Sequence, residues 1–553
     1  MYQFKLLYTV KRLIVLLAVL LLGAACTKRF DKINTNPYRP TPDQQNPDNY
    51  STGANFVAMI NAVTPAGDAP GLTDFANSYQ VAFNLAADCF SGYMGQAGDW
   101  NTNSNNLTYA FNTGWVNEQF NLTGALMRAW NSIKFFTDQS QDSLQFSVAD
   151  IIKVTGIIRT TDSYGPVPYS AIITGTATPA YDSQESIYAY AFTDLIKARN
   201  ILFRLGASAG KPLQAYDMIY EGDYLKWARY ANSLILRLAI RTVYVDAAKA
   251  KQYAEEAVAH PAGLLTGSAD NAVHSLKAGN GQFNFNNPLV TLTQNYQEAR
   301  AGASIVSILT GYNDPRLRAY FKNSTLTGRT TEVIGVRSGI NIVRPNYQPF
   351  SELNVTTGTP LPWMRVSEVY FLKAEGAIRG WAMGGNAKDL YESGIKAAFE
   401  EAGVTMPATY LADDAALPVK YVDPAPGGTS TDLDYASTGA VTGVTKWTIK
   451  WDEAANFQTK LHRIIMQKWI ALYLNGPEGW AEYRRTGFPR ILPVLQNRSS
   501  GNVITLFQAR RLPYPQAQYN QNPVQIIKGI SLLGGPDNGG TRLWWDKNTN
   551  IPR

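Results

Sequence analysis

Apolar residues along this chain recur mostly three and four positions apart, the spacing of amphipathic helices, and this predicts a mainly α fold with few short strands. Helices are expected near 55–63, 73–93, 118–137, 147–160 and 186–205, the last with Ser183 as its candidate N-cap. Two helical hairpins stand out. In 221–260, Trp227, Tyr230, Ala231, Leu234, Leu238 and Val245 keep helical spacing, and Asp246 opens a second helix carrying Ala250, Tyr253, Ala254 and Ala257. The design recurs over 364–404, with Gly384-Gly385 between the two helices, and small residues at these spacings let paired helices approach closely. A period of roughly 34–40 residues is that of helix-pair repeats, so several degenerate tetratricopeptide-like units forming a curved scaffold are expected. A short helix is expected at 304–310, and a strong one from 462 to Leu474, broken at Asn475-Gly476-Pro477.

The periodicity lapses in defined places. Residues 94–117 become rich in Asn, Gly and Thr around Trp100, Tyr109 and Trp115; 161–172 form a Gly- and Pro-containing turn; 261–362 and 405–457 are irregular insertions. The tail segments 509–522 and 541–548 read as extended and turn-rich, lying over the scaffold. Loops carry function more often than scaffolds do, and an aromatic ring amid amides makes a ligand platform. Trp100 is therefore a candidate ligand-binding residue, with Tyr296, Tyr312 and Tyr347 in the first insertion as further candidates. Trp115 reads instead as the start of the next helix, packed inside.

At the front, Lys5, Lys11 and Arg12 precede the apolar run LIVLLAVLLLGAA and then Cys26. Basic residues, a short apolar run and small residues before a cysteine describe a secretory leader over 1–25, cut before Cys26, whose thiol can then carry lipid. The alternative is a plain cleaved signal peptide with an incidental cysteine. The run is shorter than the roughly 20 residues that span a bilayer. Residues 26–50, with Pro37, Pro40, Pro42 and Pro47, read as an extended tether, and 51–553 as one helical domain.

Composition narrows the chemistry. Losing the leader removes three basic residues and no acidic one, so a net charge of +7 falls by three to +4, a mild balance without the basic tracts of nucleic-acid proteins. With Cys26 acylated only Cys89 remains, which excludes an intrachain disulfide and a cysteine metal cage. The chain carries 12 Trp, 31 Tyr and 22 Phe among plentiful Asn, Gly and Thr. Flat rings with polar handles beside amides suit sugar rings, although an aromatic core accounts for most of them.

Catalytic signatures are missing. His260, His274 and His462 are far apart, and no HExxH, GxSxG or phosphate-loop motif occurs. His462 on its helix reads as structural. Glu368 and Glu375 lie seven apart on one helix face, which suits a solvated or salt-bridged face better than two glycosidase carboxylates facing across a cleft. Arg484-Arg485, among Trp480, Tyr483 and Phe488, suits internal ion pairs and stacking. No cofactor is implied, no metal site is expected, and nothing has the loop spacing of an EF-hand for calcium.

Taken together, the leader ending at Cys26, FDKINTNPY, TDSYGPVPY, NDPRL (313–317), RVSEVYFLKAEGAIRGW, QKWIALYLNGPEGWAEYRRTGFPRI (467–491), RLPYP and TRLWWD resemble the SusD/RagB family of Bacteroidota outer-membrane lipoproteins. The likeness runs to Asp546, and the block 467–491 is its most specific part. It implies a single domain on about four tetratricopeptide-like helix pairs, no catalysis, and a lipid-anchored place at the outer membrane facing the cell exterior. It also implies a partner, a SusC-like TonB-dependent barrel contacted through the helix-pair face, and an oligosaccharide or peptide ligand handed to it. In glycan-binding members the ligand lies on an aromatic platform in the loops, where Trp100 falls and Tyr296 occupies a comparable region. Two further readings stand beside this one: a surface glycosidase or peptidase, and an assembly scaffold without a small ligand.

Overall fold

The computed structural model describes residues 50–100, 104–172, 176, 178–281, 283–426 and 448–549. The expected leader over 1–25, the lipidation residue Cys26 and the tether up to residue 49 lie outside the described residues. Within Thr52–Arg553 the chain forms one compact unit.

Its frame is a run of helices whose starts are written in the cap residues. Helix α1 (Tyr50–Val63) and the short α2 (Asp74–Tyr79) precede a π-helical stretch, Gln80–Asp88, so the expected 73–93 helix is interrupted. Helix α3 (Thr113–Ser140) starts at Asn112, whose side chain accepts from the N–H groups of Gly114 and Trp115; it buries Val116, Thr123, Leu126, Trp130, Ile133 and Thr137 at helical spacing. Asp142 caps α4 (Ser143–Tyr164), which ends at Gly165 with φ +90°, a conformation that favours glycine. Ser183 caps α5 (Gln184–Leu205) as expected, Asp223 caps α6 (Tyr224–Arg241), and Asp246 caps α7 (Ala247–Ala259). Helices α8 (Val366–Ile378) and α9 (Ala387–Glu401, capped by Asn386) form the second hairpin.

Successive helices from α3 to α7 pack side by side, α6 also meets α8, and α8 packs on α9. The close approach depends on small residues. A Cβ at Gly156 on α4 would stand 2.4 Å from Leu126 of α3, and one at Gly394 on α9 would meet the Phe371 ring of α8 at 2.8 Å. This is the tetratricopeptide-like helical scaffold expected from the spacing. The strands are few and short: β1 (Met94–Gln96) pairs antiparallel with β3 (Ala299–Ala301), and β2 (Ala272–His274) with β4 (Leu361–Met364).

Helix α10 (Phe457–Ala471) stops before Asn475-Gly476-Pro477 as expected, but the chain turns at once into α11 (Gly476–Thr486), with Pro477 in its first turn. A second difference lies in the tail. Residues Gln516–Gln521 are helical and α12 (Pro523–Ser531) follows, because a proline in the first helical turn starts a helix as readily as it ends one.

Helices α6, α8, α10 and α11 enclose a network of buried charges. Arg237 Nη2 lies 2.6 Å from Glu368 Oε2, Arg241 bridges Asp162 (3.0 Å) and Glu478 (2.5 Å), and Arg485 holds both Glu375 (2.6 Å) and Glu482 (2.7 Å). Arg484 lies 3.5 Å above the Trp480 ring centre and also faces Trp545. Glu368 and Glu375 are thus buried and paired rather than solvated, and Arg484-Arg485 makes the internal pairs and stacks its neighbours predicted. Burial alone would raise the Glu375 and Glu478 carboxyls, but the guanidinium groups beside them hold both below the usual range. His462 is also internal, edge-on to Phe488 at 4.9 Å between ring centres, and burial pushes its pKa down to about 3.

Candidate functional site

The β1/β3 ladder brings together two loops that are far apart in sequence. Gln96 pairs with Ala299, and the Ala97 N–H donates to the Glu298 carbonyl at 2.8 Å, so the chain leaving β1 toward Trp100 and the chain entering β3 from Tyr296 share one end of the ladder. The ladder sits tightly against a third segment: a Cβ at Gly95 would lie 2.4 Å from the Val336 carbonyl oxygen.

Trp100 is half-buried. Its six-membered ring covers Gly98, where a Cβ would come within 2.9 Å of two ring carbons, and its carbonyl accepts from Asn105 Nδ2 at 2.9 Å. The indole meets Trp115 edge to face, with ring centres 5.6 Å apart. Trp115 does open α3 as expected, but it is half-buried rather than fully inside. The two indoles therefore brace one another and keep part of their apolar surface toward solvent.

Polar groups surround them. On α3, Glu118 accepts from Ser78 of α2 and from Asn121 Nδ2 (2.9 Å), and Asn117 donates to Asn121. Tyr296 is half-buried, and its hydroxyl donates to Asn77 Oδ1 of α2 at 2.9 Å. Glu298 accepts from Gln80 Nε2 (2.7 Å) and Arg344 Nη1 (3.4 Å), while Arg344 Nη2 donates to the Tyr296 carbonyl (2.7 Å). Burial raises the Glu298 carboxyl, Gln80 and Arg344 oppose that rise, and the nearby Asp99 charge adds to it. The result is a surface patch of braced aromatics, amides and already-bonded carboxylates, which can stack a flat apolar face and bond hydroxyl or amide groups around it.

Of the four sequence candidates, Trp100 and Tyr296 reach this patch; the other two do not. Tyr312, at the end of the helix Ala303–Gly311, is 2 % exposed in the main core, and burial pushes its hydroxyl far up. Tyr347 is 2 % exposed in a smaller cluster beside Phe350, and its hydroxyl donates to Asp423 Oδ2 at 2.8 Å. Neither ring offers a face to a ligand, which corrects that expectation. The residues that sequence reasoning missed are Asn77, Glu298 and Arg344, which gain meaning only through the β1/β3 pairing; for Trp115 the Asn112 cap was a legible signal.

No group of three or more His, Cys, Asp and Glu side chains among the described residues is placed to hold a metal ion. Cys89 is buried, and burial pushes its thiol well up. No helix among the described residues is long and apolar enough to cross a membrane.

Comparison with known proteins is consistent along the chain. A family model described as "SusD-like: Susd and RagB outer membrane lipoprotein" matches residues 32–546. No curated protein matches significantly. Among solved structures, a chitin-binding SusD homolog from Flavobacterium johnsoniae is 37 % identical with a TM-score of 0.82, covering 90 % of this chain and 100 % of its own. A SusD homolog from Bacteroides uniformis is 33 % identical with a TM-score of 0.80 (90 % and 99 % covered), and one from Bacteroides thetaiotaomicron is 32 % identical with a TM-score of 0.79 (90 % and 100 % covered).

Proposed function

The chain belongs to the SusD-like family of outer-membrane lipoproteins, and from that premise we propose that it is a non-catalytic nutrient-binding protein that captures an oligomeric glycan on the Trp100–Trp115–Tyr296 patch. In this reading Cys26 carries the lipid, the segment to residue 50 is the tether, and the protein faces the cell exterior, handing its cargo to a SusC-like TonB-dependent barrel. The observation that carries the proposal is the pair of braced, half-exposed indoles set among amides. The carboxylates of the patch support binding over hydrolysis, because Glu118 and Glu298 are each engaged by two side-chain partners. The relative that binds chitin suggests oligosaccharides of β-linked N-acetylglucosamine as the first ligands to try. Their N-acetyl groups would meet amide partners, and their ring faces the indoles.

Stacking on one ring contributes about 1 kcal/mol, so Trp100→Ala should weaken binding about fivefold and Trp100→Ala with Trp115→Ala more than that. Calorimetric titration of the full chain with chitin oligosaccharides, beside a panel of other glycans and peptides, tests this, with product analysis for bond cleavage. Unchanged affinity in both variants, or released product from wild-type protein, overturns the reading. Co-purification of a barrel from the native membrane tests the partner separately.

A further inference from the structure

A pocket of about 370 Å3 opens in the tail, between the segment around Gln508 and the one around Arg542. The volume falls at the lower end of the roughly 300–1,000 Å3 of small-molecule sites, and no lining residue belongs to the aromatic patch. Phe507 and Ile504 supply apolar wall, Gln508 lies inside, and Asn502 is exposed at the rim.

Gln508 is the unusual residue of this wall. It is 5 % exposed, its backbone is left-handed with φ +56°, and its side-chain amide has no hydrogen-bond partner among the described residues. Both features are costly: the left-handed region disfavours any residue with a Cβ, and a buried amide without a partner gives up the bonds it makes in water. The surroundings impose them. The carbonyls of Leu506, Phe507 and Ala509 accept from the Tyr483 hydroxyl (3.1 Å), Arg510 Nη1 (3.2 Å) and Trp480 Nε1 (3.0 Å), so the backbone is pinned on either side of Gln508. A residue held in a costly conformation by its neighbours, with its polar group open toward a pocket, marks a ligand contact.

The chemistry of the wall narrows the guest. A carboxamide offers donors and an acceptor side by side, and a secondary amide answers both with its own carbonyl and N–H. The two guanidinium groups call for no charged partner: Arg510 places Nε (2.8 Å) and Nη2 (2.6 Å) on Asp546, and Arg542 Nη1 stands 3.6 Å from the other oxygen of that carboxylate. Only one carboxamide lies inside, and Phe507 and Ile504 cannot bond a second amide, so a peptide, with an amide at every residue, would leave one unanswered. We propose that this pocket binds the acetamido group of an N-acetylated sugar, with the amide on Gln508, the methyl against Phe507 and the hydroxyls toward Asn502 and solvent. The proposal rests on Gln508 and its neighbours, so it stands or fails apart from the aromatic patch.

The probe is N-acetylglucosamine, titrated by ligand-observed NMR into the wild-type chain and into the full chain with Trp100→Ala and Trp115→Ala, where the aromatic patch is disabled. In both it should bind about tenfold more tightly than glucose, which lacks the acetamido group. N-acetylalanine methylamide, a peptide-like amide, and glucuronate, an anion, should bind no better than glucose. Gln508→Gly, which suits φ +56°, and Gln508→Met, which keeps the length of the side chain, should each bring N-acetylglucosamine down to the level of glucose when added to the patch-disabled chain. Because the amide has no partner in the fold to lose, neither change should lower the melting temperature. Equal binding of N-acetylglucosamine and glucose, tighter binding of the peptide-like amide or of glucuronate, undiminished binding in both Gln508 variants, or a melting temperature several degrees lower in both overturns the proposal.

Discussion

Replacing Glu482 by Gln should unsettle the scaffold more than its single missing charge suggests. Its carboxylate accepts from Arg485 Nε (3.1 Å) and Nη2 (2.7 Å) and lies 3.3 Å from Lys468 Nζ, with every one of these side chains no more than 2 % exposed. Burial alone would raise the carboxyl, but Arg485 and Lys468 together hold it far below its usual range. After Glu482→Gln, Arg485 keeps Glu375 at 2.6 Å, whereas Lys468 loses the only carboxylate with which it forms an ion pair among the described residues. A buried charge left uncompensated costs about 3–5 kcal/mol. With unfolding entropy of roughly 2.1 cal/mol/K per residue over about 500 residues, that is a fall of about 3–5 °C in melting temperature. The pH dependence has a definite sign. A depressed carboxyl contributes stability above the unfolded value of about 4.3 and loses it as pH falls through the folded value, so the gap between wild type and variant should narrow below about pH 4.3. Lys468→Met added to Glu482→Gln removes the stranded ammonium and should recover part of the loss. Scanning calorimetry of the wild type and the two variants measures all of this. A fall of less than about 1 °C, or a double variant no more stable than Glu482→Gln, refutes the reasoning.

Other expectations are separable by simple measurements. Tyr296→Ala should weaken glycan binding in titration, while Tyr312→Phe and Tyr347→Phe, whose rings are buried, should leave it unchanged. Gly476→Ala places a Cβ 2.6 Å from the Asp88 Cα, which cannot move aside, so the yield of folded protein should collapse; Gly501→Ala, with φ +84° and open space around it, should cost only about 1–2 kcal/mol by thermal melt. Burial pushes His274 and His462 down to about 3, so between about pH 6.5 and 3 the unfolded chain binds protons that the folded one refuses, and stability falls as pH falls. His274→Gln and His462→Gln should each flatten that loss by about 1.36 kcal/mol per pH unit in denaturant titrations. Asp88, raised by burial to about 6, works the other way and adds stability as pH drops from about 6 toward 3.8, so Asp88→Asn should steepen the acid loss.

Much of the frame was legible because its signals are local. Ser183 and Asp246 accept from N–H groups three residues on, and the three- and four-residue spacing of small and apolar side chains states which faces pack. Arg484 and Arg485 could be placed inside because their neighbours are aromatic. The site was less legible because its assembly is not local. Trp100 and Tyr296 share a patch only through a ladder joining Gln96 to Ala299, and no spacing rule spans that distance. Tyr347 misled for a related reason: a phenol reads the same whether its hydroxyl meets Asp423 or a sugar. Proline has the same ambiguity, which is why the helix Gln516–Gln521 begins directly after Pro515 where an extended segment was expected.

The buried network also sets an order of events for a newly made chain. Until residues 476–486 are available, Arg241 has Asp162 but not Glu478, and Lys468 lacks Glu482. The scaffold helices made first would have to bury cations before their counter-charges exist, so stable collapse waits for the last tenth or so of synthesis. A chain held back in this way would suit the export proposed above, because it would meet a secretion pore before it could close around its own charges.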